Sequence, residues 1–139
     1  MTRISRNRPE RRIKMSIMQK IICAGLLFII TISTGIWLNS SGRPLNALIF
    51  NIHKLTAVAA VIFTAVLIRG LLKNAEIRTF ILALIIISIL LVLVLFVSGA
   101  LMSTGKPVSG ILVAVHGAAT VFTVIAASAA VVLLTLGRR

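Results

Sequence analysis

The chain has 139 residues, of which 59% are hydrophobic, and its mean hydropathy is +1.13. Two residues are acidic and fifteen are lysine or arginine, which gives a formal net charge of +13. This composition excludes a soluble globular domain, because too few polar side chains remain to cover its surface. We therefore expect an integral membrane protein whose main contact is the lipid bilayer.

Four apolar segments follow one another along the chain, and each is long enough to cross a hydrocarbon core of about 30 Å. They must be helices, because a segment that spans lipid has to satisfy its own backbone polar groups. The sequence predicts a basic tail over residues 1–20, a membrane domain over 21–136 and a short C-terminus over 137–139. Within the membrane domain it predicts helices over 21–38, 45–72, 77–102 and 108–136.

The connections between these helices are only a few residues long, which makes sequential helices antiparallel neighbours. The sequence also contains an internal repeat. Gly42-Arg43-Pro44 is followed by His53, and Gly105-Lys106-Pro107 is followed by His116, so that each residue of the second copy lies 63 positions after its equivalent in the first. These patterns predict an all-α, up-down-up-down bundle of four transmembrane helices, built from two helix-hairpin repeats.

Basic residues are distributed unevenly between the two ends of the predicted helices. Most precede the first helix, flank the connection between the second and third, or close the chain, whereas Arg43, Lys54 and Lys106 lie at the opposite end. Because basic residues concentrate on the cytoplasmic side, both termini are expected to be cytoplasmic, in a prokaryotic plasma membrane. The charge then needs no nucleic-acid partner to explain it.

The two histidines of the repeat are the candidate functional residues. Each lies nine residues after a proline that opens its helix, or about 13 Å below the start of that helix. Both are thus predicted to lie in the outer half of the membrane. An ionisable side chain within lipid is expensive, so it suggests a function. Two at matched depth suggest one shared ligand.

Small residues occupy the helix face beneath each histidine. The helix before each histidine's own helix carries a glycine at about the level of that histidine. The pattern predicts a pocket beside each imidazole and, at Gly35 and Gly99, room for a flat macrocycle. Small residues are also used for close helix packing without any cofactor, so that interpretation stays open. The stripe positions are Thr56, Ala57, Ala60 and Thr64 on one helix, and Ala119, Thr120, Thr123 and Ala127 on the other.

Haem is a ligand that two opposed histidines are sufficient to hold, because the porphyrin supplies the other four iron ligands. Zinc or copper would usually need further side chains. His53 and His116 are therefore predicted to be the axial ligands of one haem b, lined in part by Gly35, Gly99, Ala57 and Thr120. Arg43, Lys106 and Lys54 are candidate partners for the propionates, although headgroup contacts would also account for them.

These features resemble one half of the haem A synthases, which are built from two four-helix bundles with ligating histidines on the second and fourth helices. The resemblance spans the helical region and implies the fold and the haem site. Phe50 and Lys54 stand where the family has a glutamate and an arginine beside its first histidine, and the outer-loop cysteine pair is absent. The resemblance therefore does not extend to synthase activity. Other small bis-histidine cytochromes b fit equally well.

The sequence thus predicts a membrane b-type cytochrome. It favours an electron carrier or a subunit of a redox complex over a stand-alone enzyme. Its expected partners are a quinone, a redox protein or another membrane subunit, and a homo-oligomer is an open possibility. Two alternatives come from other classes. One is a non-redox assembly or scaffold subunit whose histidines only pack, and the other is a haem-modifying or haem-delivery protein related to the synthases.

Overall fold

The computed structural model describes residues 15–42, 44–73, 78–104 and 107–137. In these ranges the chain forms four α-helices and no strand: α1 (Ile17–Ser40), α2 (Ala47–Leu72), α3 (Thr79–Met102) and α4 (Gly110–Leu136). Each helix is long and apolar enough to cross a membrane. The predicted all-α class with four spanning helices is confirmed.

The helices begin where polar side chains can cap free backbone N–H groups. Ser16 caps α1 in a reciprocal arrangement with Gln19, Asn46 accepts from two backbone N–H groups of α2, and Ser109 accepts from Leu112. These caps satisfy donors that the first helical turn leaves unpaired. In contrast, α3 begins after Arg78 without a side-chain cap.

The observed bounds differ from the predicted ones mainly at the first helix. Helix α1 begins at Ile17 rather than at residue 21, because the capping box of Ser16 and Gln19 starts it one turn earlier. Residues 17–20 therefore belong to α1 and not to the basic tail. The starts of α2, α3 and α4 each lie two residues later than predicted. Residues 1–14 of the tail, Arg43, Lys106 and residues 138–139 lie outside the described residues.

The bundle is organised around the contact between α2 and α4. Among the described residues, α1 packs mainly on α2 and α3 packs mainly on α4, and the two hairpins meet through α2 and α4. In the part of the chain that the structure describes, helices α2 and α3 have no comparable interface, although they are consecutive in the chain. The expectation of antiparallel neighbours therefore holds within each hairpin, whereas between hairpins the parallel pair α2 and α4 makes the contact.

Burial differs between the two ends of the bundle. We call the end where α1 and α3 finish the histidine end, and the opposite one the terminal end. A hydrophobic cluster fills the terminal end, formed by Ala24, Leu67, Leu71, Ile81, Val131 and Leu134. In the half nearest the histidine end, only Ser98 and Ala119 are buried among the described residues. The helices are thus closely packed at one end and more open at the other.

Candidate functional site

His53 and His116 occupy equivalent positions at the histidine end. Each is the seventh residue of its helix, so each lies about 9 Å along the axis from the helix start. Because α2 and α4 run in the same direction and pack against each other, the two imidazoles lie at a similar depth. Both side chains are half-buried.

The imidazole of His53 is held by α1. Its Nδ1 lies 3.0 Å from the carbonyl oxygen of Thr31 and 3.2 Å from the hydroxyl oxygen of Thr34. Both partners lie within the same hairpin as His53. The ring is therefore oriented by its own helix pair.

The imidazole of His116 is held in the same way by α3. Its Nδ1 lies 2.8 Å from the hydroxyl oxygen of Ser98, and Ser98 is only 3% exposed. Within the described ranges, no backbone carbonyl lies within hydrogen-bond distance of His116 Nδ1 as that of Thr31 does at His53. The two hairpins thus repeat one arrangement, a histidine on the even helix bonded to a hydroxyl on the odd helix.

The other ring nitrogen is available at both histidines. Among the described residues, neither Nε2 atom has a hydrogen-bond partner. Metal-binding histidines typically use one nitrogen for the metal while the other is bonded to a carbonyl or another polar group. The side chains present therefore match the donor set of a two-histidine metal site, with Nε2 as the ligating atom of each ring.

Gly35 and Gly99 lie directly against the imidazoles. A Cβ added at Gly35 would lie 3.0 Å from Cε1 of His53, and one added at Gly99 would lie 3.4 Å from Cε1 of His116. The sequence interpretation assigned the space at these glycines to a flat macrocycle. In the structure that space holds the histidine rings themselves, so the glycines allow close approach of helices α1 and α3 to the rings.

The stripe of small residues changes character with depth. Ala57 and Thr120 are half-buried near the histidine level, and the Thr120 hydroxyl donates to the carbonyl oxygen of His116 at 2.9 Å. The deeper stripe residues Ala60, Thr64, Thr123 and Ala127 are buried in the bundle rather than lining an open pocket, and Ala119, one position before Thr120, is already buried. The packing interpretation therefore describes the deeper part of the stripe.

Of the three predicted cations, Lys54 lies within the described residues. Arg43 and Lys106 lie outside the described residues. Lys54 is exposed, and its ammonium nitrogen lies 4.1 Å from the centroid of the Phe50 ring, one turn earlier on α2. This contact is within the range of a cation–π interaction. The assignment of all three cations to propionates stays a prediction.

Sequence reasoning did not identify the residues that orient the histidines. Thr34 and Ser98 directly precede the two glycines in the sequence, and neither their hydroxyls nor the Thr31 carbonyl is assigned to a histidine by residue spacing. A signal was nevertheless present, because Thr34-Gly35 and Ser98-Gly99 recur ahead of the two histidines at nearly equal spacing. The hydroxyl contacts ring Nδ1, and the glycine makes room for the ring.

Comparison with known proteins gives no relative to guide the assignment: no family model, curated protein or solved structure matches the chain. Among the described residues, no group of three or more His, Cys, Asp or Glu side chains is gathered as a metal site. The two histidines and their surroundings are the features of the described residues that point to a function.

Proposed function

We propose that this protein is a membrane b-type cytochrome that binds one haem b between His53 and His116 and transfers electrons. One observation carries the proposal. Two histidines, each the seventh residue of helices that pack in parallel, have Nδ1 engaged within their own hairpins and, among the described residues, no hydrogen-bond partner at Nε2. Haem needs only two protein ligands, because its porphyrin fills the other four coordination positions of the iron.

The surroundings of the histidines suit such a group. The histidine end is the more open end of the bundle, and the small side chains of Ala57 and Thr120 lie next to the ligands along α2 and α4. Gly35 and Gly99 let each ring rest on its neighbouring helix, which restricts the ring's orientation. Bound haem supplies a single-electron couple at its iron, while the protein determines orientation, exclusion of water and potential.

Electron exchange is proposed to occur at the side of the membrane that carries the histidines. With both termini cytoplasmic by the charge distribution, that side is the outer one. A single haem near one face does not carry electrons through the whole bilayer. A quinone, a redox protein or another haem-bearing membrane subunit is therefore required as the partner.

The same hydrogen bonds are also compatible with a second candidate function. Thr34 and Ser98 also satisfy Nδ1 in a protein whose histidines only stabilise the hairpins, as in a non-redox assembly or scaffold subunit. A haem-modifying or haem-delivery protein would share the haem site and differ in its chemistry. The free Nε2 atoms at matching depth favour ligation over packing.

The visible spectrum of the purified protein separates these functions. Protein prepared from haem-replete cells is expected to give the reduced-minus-oxidised spectrum of a low-spin b-type cytochrome, with one haem per chain by extraction and quantification. A colourless protein that also fails to take up added haemin would instead support the scaffold subunit. Bound haem that is released to an acceptor protein without redox cycling would support delivery.

The three basic residues at the histidine end are assigned to the propionates, and this role is testable at Arg43 and Lys106. Substitution by glutamine (R43Q, K106Q) is expected to lower the midpoint potential, because a nearby positive charge favours the reduced, less positive iron. Redox titration beside the wild type measures the effect. Unchanged potentials and undiminished haem retention in both variants would leave these residues with the lipid headgroups.

A further inference from the structure

The hydroxyl groups next to the two histidines donate their hydrogens to backbone carbonyl oxygens of their own helices. Thr34 Oγ1 lies 2.8 Å from the carbonyl oxygen of Ile30, and Ser98 Oγ lies 2.6 Å from that of Val94. A carbonyl oxygen only accepts, so in each pair the hydroxyl is the donor. Because a hydroxyl has one hydrogen, Thr34 and Ser98 offer only lone pairs to the histidine nitrogens.

This arrangement determines where each neutral imidazole carries its proton. A ring nitrogen that faces a lone pair must be the N–H, so Nδ1 donates to Thr34 in one hairpin and to Ser98 in the other. The Thr31 carbonyl 3.0 Å from His53 Nδ1 requires the same assignment. The lone pair of each ring is then on Nε2, the atom that would ligate a metal.

We propose that Thr34 and Ser98 are positioning residues that fix both histidines in the Nδ1-protonated tautomer, with unequal strength in the two hairpins. His53 has two acceptors, the Thr34 hydroxyl and the Thr31 carbonyl. His116 has one acceptor among the described residues, the Ser98 hydroxyl. The tautomer of His116 therefore depends on a single side chain, whereas that of His53 is also secured by the backbone.

The inequality has a chemical consequence that rests on the proposed function. Donation from Nδ1 makes an imidazole a more basic ligand, which favours the oxidised form of a bound iron. Loss of the Ser98 acceptor weakens this effect at His116 without replacement. Loss of the Thr34 acceptor leaves the Thr31 carbonyl in place. Ser98→Ala should therefore raise the potential of a bound haem more than Thr34→Ala does.

The tautomers are measured first in protein that contains no haem. We would label the histidines with ¹⁵N, reconstitute the haem-free chain in lipid nanodiscs, and assign each resonance with His53→Ala and His116→Ala. The wild type is expected to carry the proton on Nδ1 at both rings. Ser98→Ala should give His116 a mixture of tautomers, and Thr34→Ala should leave His53 unchanged. Protonation at Nε2 in the wild type, or equal effects of the two variants, would overturn the proposal.

The same variants are then titrated with haemin and their midpoint potentials compared. The midpoint potential is expected to be highest in Ser98→Ala, lower in Thr34→Ala and lowest in the wild type. Ser98→Thr keeps a hydroxyl, as in the first hairpin, so its midpoint potential should be close to that of the wild type. If Ser98→Ala does not insert, Ser98→Cys replaces it, since a thiol is a weak acceptor. Haem binding with no such order overturns the proposed control. Nδ1-protonated rings that bind no haem would uphold the tautomer assignment and refute the cytochrome.

Discussion

Two glycines determine how closely the odd helices approach the histidine rings. Gly35 and Gly99 contact equivalent imidazoles in the two hairpins, but the contact at Gly35 is the tighter one. At that separation the ring must move to admit a methyl group, whereas the space at Gly99 is near ordinary van der Waals contact. Both copies of the repeat therefore have glycine at this position, but Gly99 has more space for an added methyl group than Gly35.

Gly35→Ala is accordingly expected to be more damaging than Gly99→Ala. Overpacking of a close contact costs about 1–3 kcal/mol, and at Gly35 the strain falls on His53. Thermal unfolding in detergent measures the loss, and haem retention reports displacement of the ring. Gly70→Ala on α2 is the matched control, because nothing lies within 4 Å of an added Cβ there. If Gly35→Ala were as stable as that control, the glycine would not be required by His53.

At the scale of the helices, α2 and α4 combine apolar packing with a few buried hydroxyls. Thr123 Oγ1 donates to the carbonyl oxygen of Ala119 at 2.7 Å, whereas Thr64 Oγ1 is buried without a hydrogen-bond partner among the described residues. An unsatisfied buried hydroxyl costs free energy that an apolar group of the same shape does not. The two threonines should therefore respond oppositely to the loss of their hydroxyls.

Thr64→Val is expected to stabilise the bundle by up to about 1 kcal/mol, and Thr123→Val to destabilise it by a similar amount. Valine keeps the β-branched shape of threonine, so the comparison isolates the hydroxyl. Reversible unfolding of both variants in mixed detergent micelles measures the difference. Destabilisation by Thr64→Val as large as that by Thr123→Val would mean that the Thr64 hydroxyl has a stabilising partner.

The helices themselves follow from local sequence, and the helix contacts do not. Long apolar segments specify four spans, and the polar residues Ser16, Asn46 and Ser109 determine where three of them start. The packing of α2 on α4 depends on side chains far apart in the chain, and short connections are compatible with more than one arrangement. The matched depth of His53 and His116 was nevertheless predictable, because the repeat places both at one register.

Details of the site were predictable only in part. The histidines were identified from the cost of burying them in lipid, but the orientation of their rings depends on which atoms α1 and α3 present to them. A hydroxyl on a neighbouring helix gives no periodic signal of its own. For the same reason, sequence spacing gives the level of the glycines but not their close contact with the imidazoles, and their contact with a haem stays a prediction.

At the scale of the whole molecule, the uneven distribution of basic residues predicts the orientation of the bundle in the membrane. In a Cys23→Ala background, cysteines introduced at Ser41 or Ser103 are expected to react with an impermeant thiol reagent added from outside intact cells. A cysteine at Asn74 should react only after the membrane is permeabilised. The reverse labelling pattern would place the histidine end, and any haem bound there, on the cytoplasmic side.

Ligation of one haem by His53 and His116 together is tested by the low-spin signal of the bound haem in single histidine variants. His53→Ala and His116→Ala should each abolish the bis-imidazole electron paramagnetic resonance signal and reduce haem content, because each removes one axial ligand. Leu55→Ala, two residues after His53 at an exposed position of α2, should keep the signal. A full-stoichiometry, low-spin signal in both histidine variants would contradict the account.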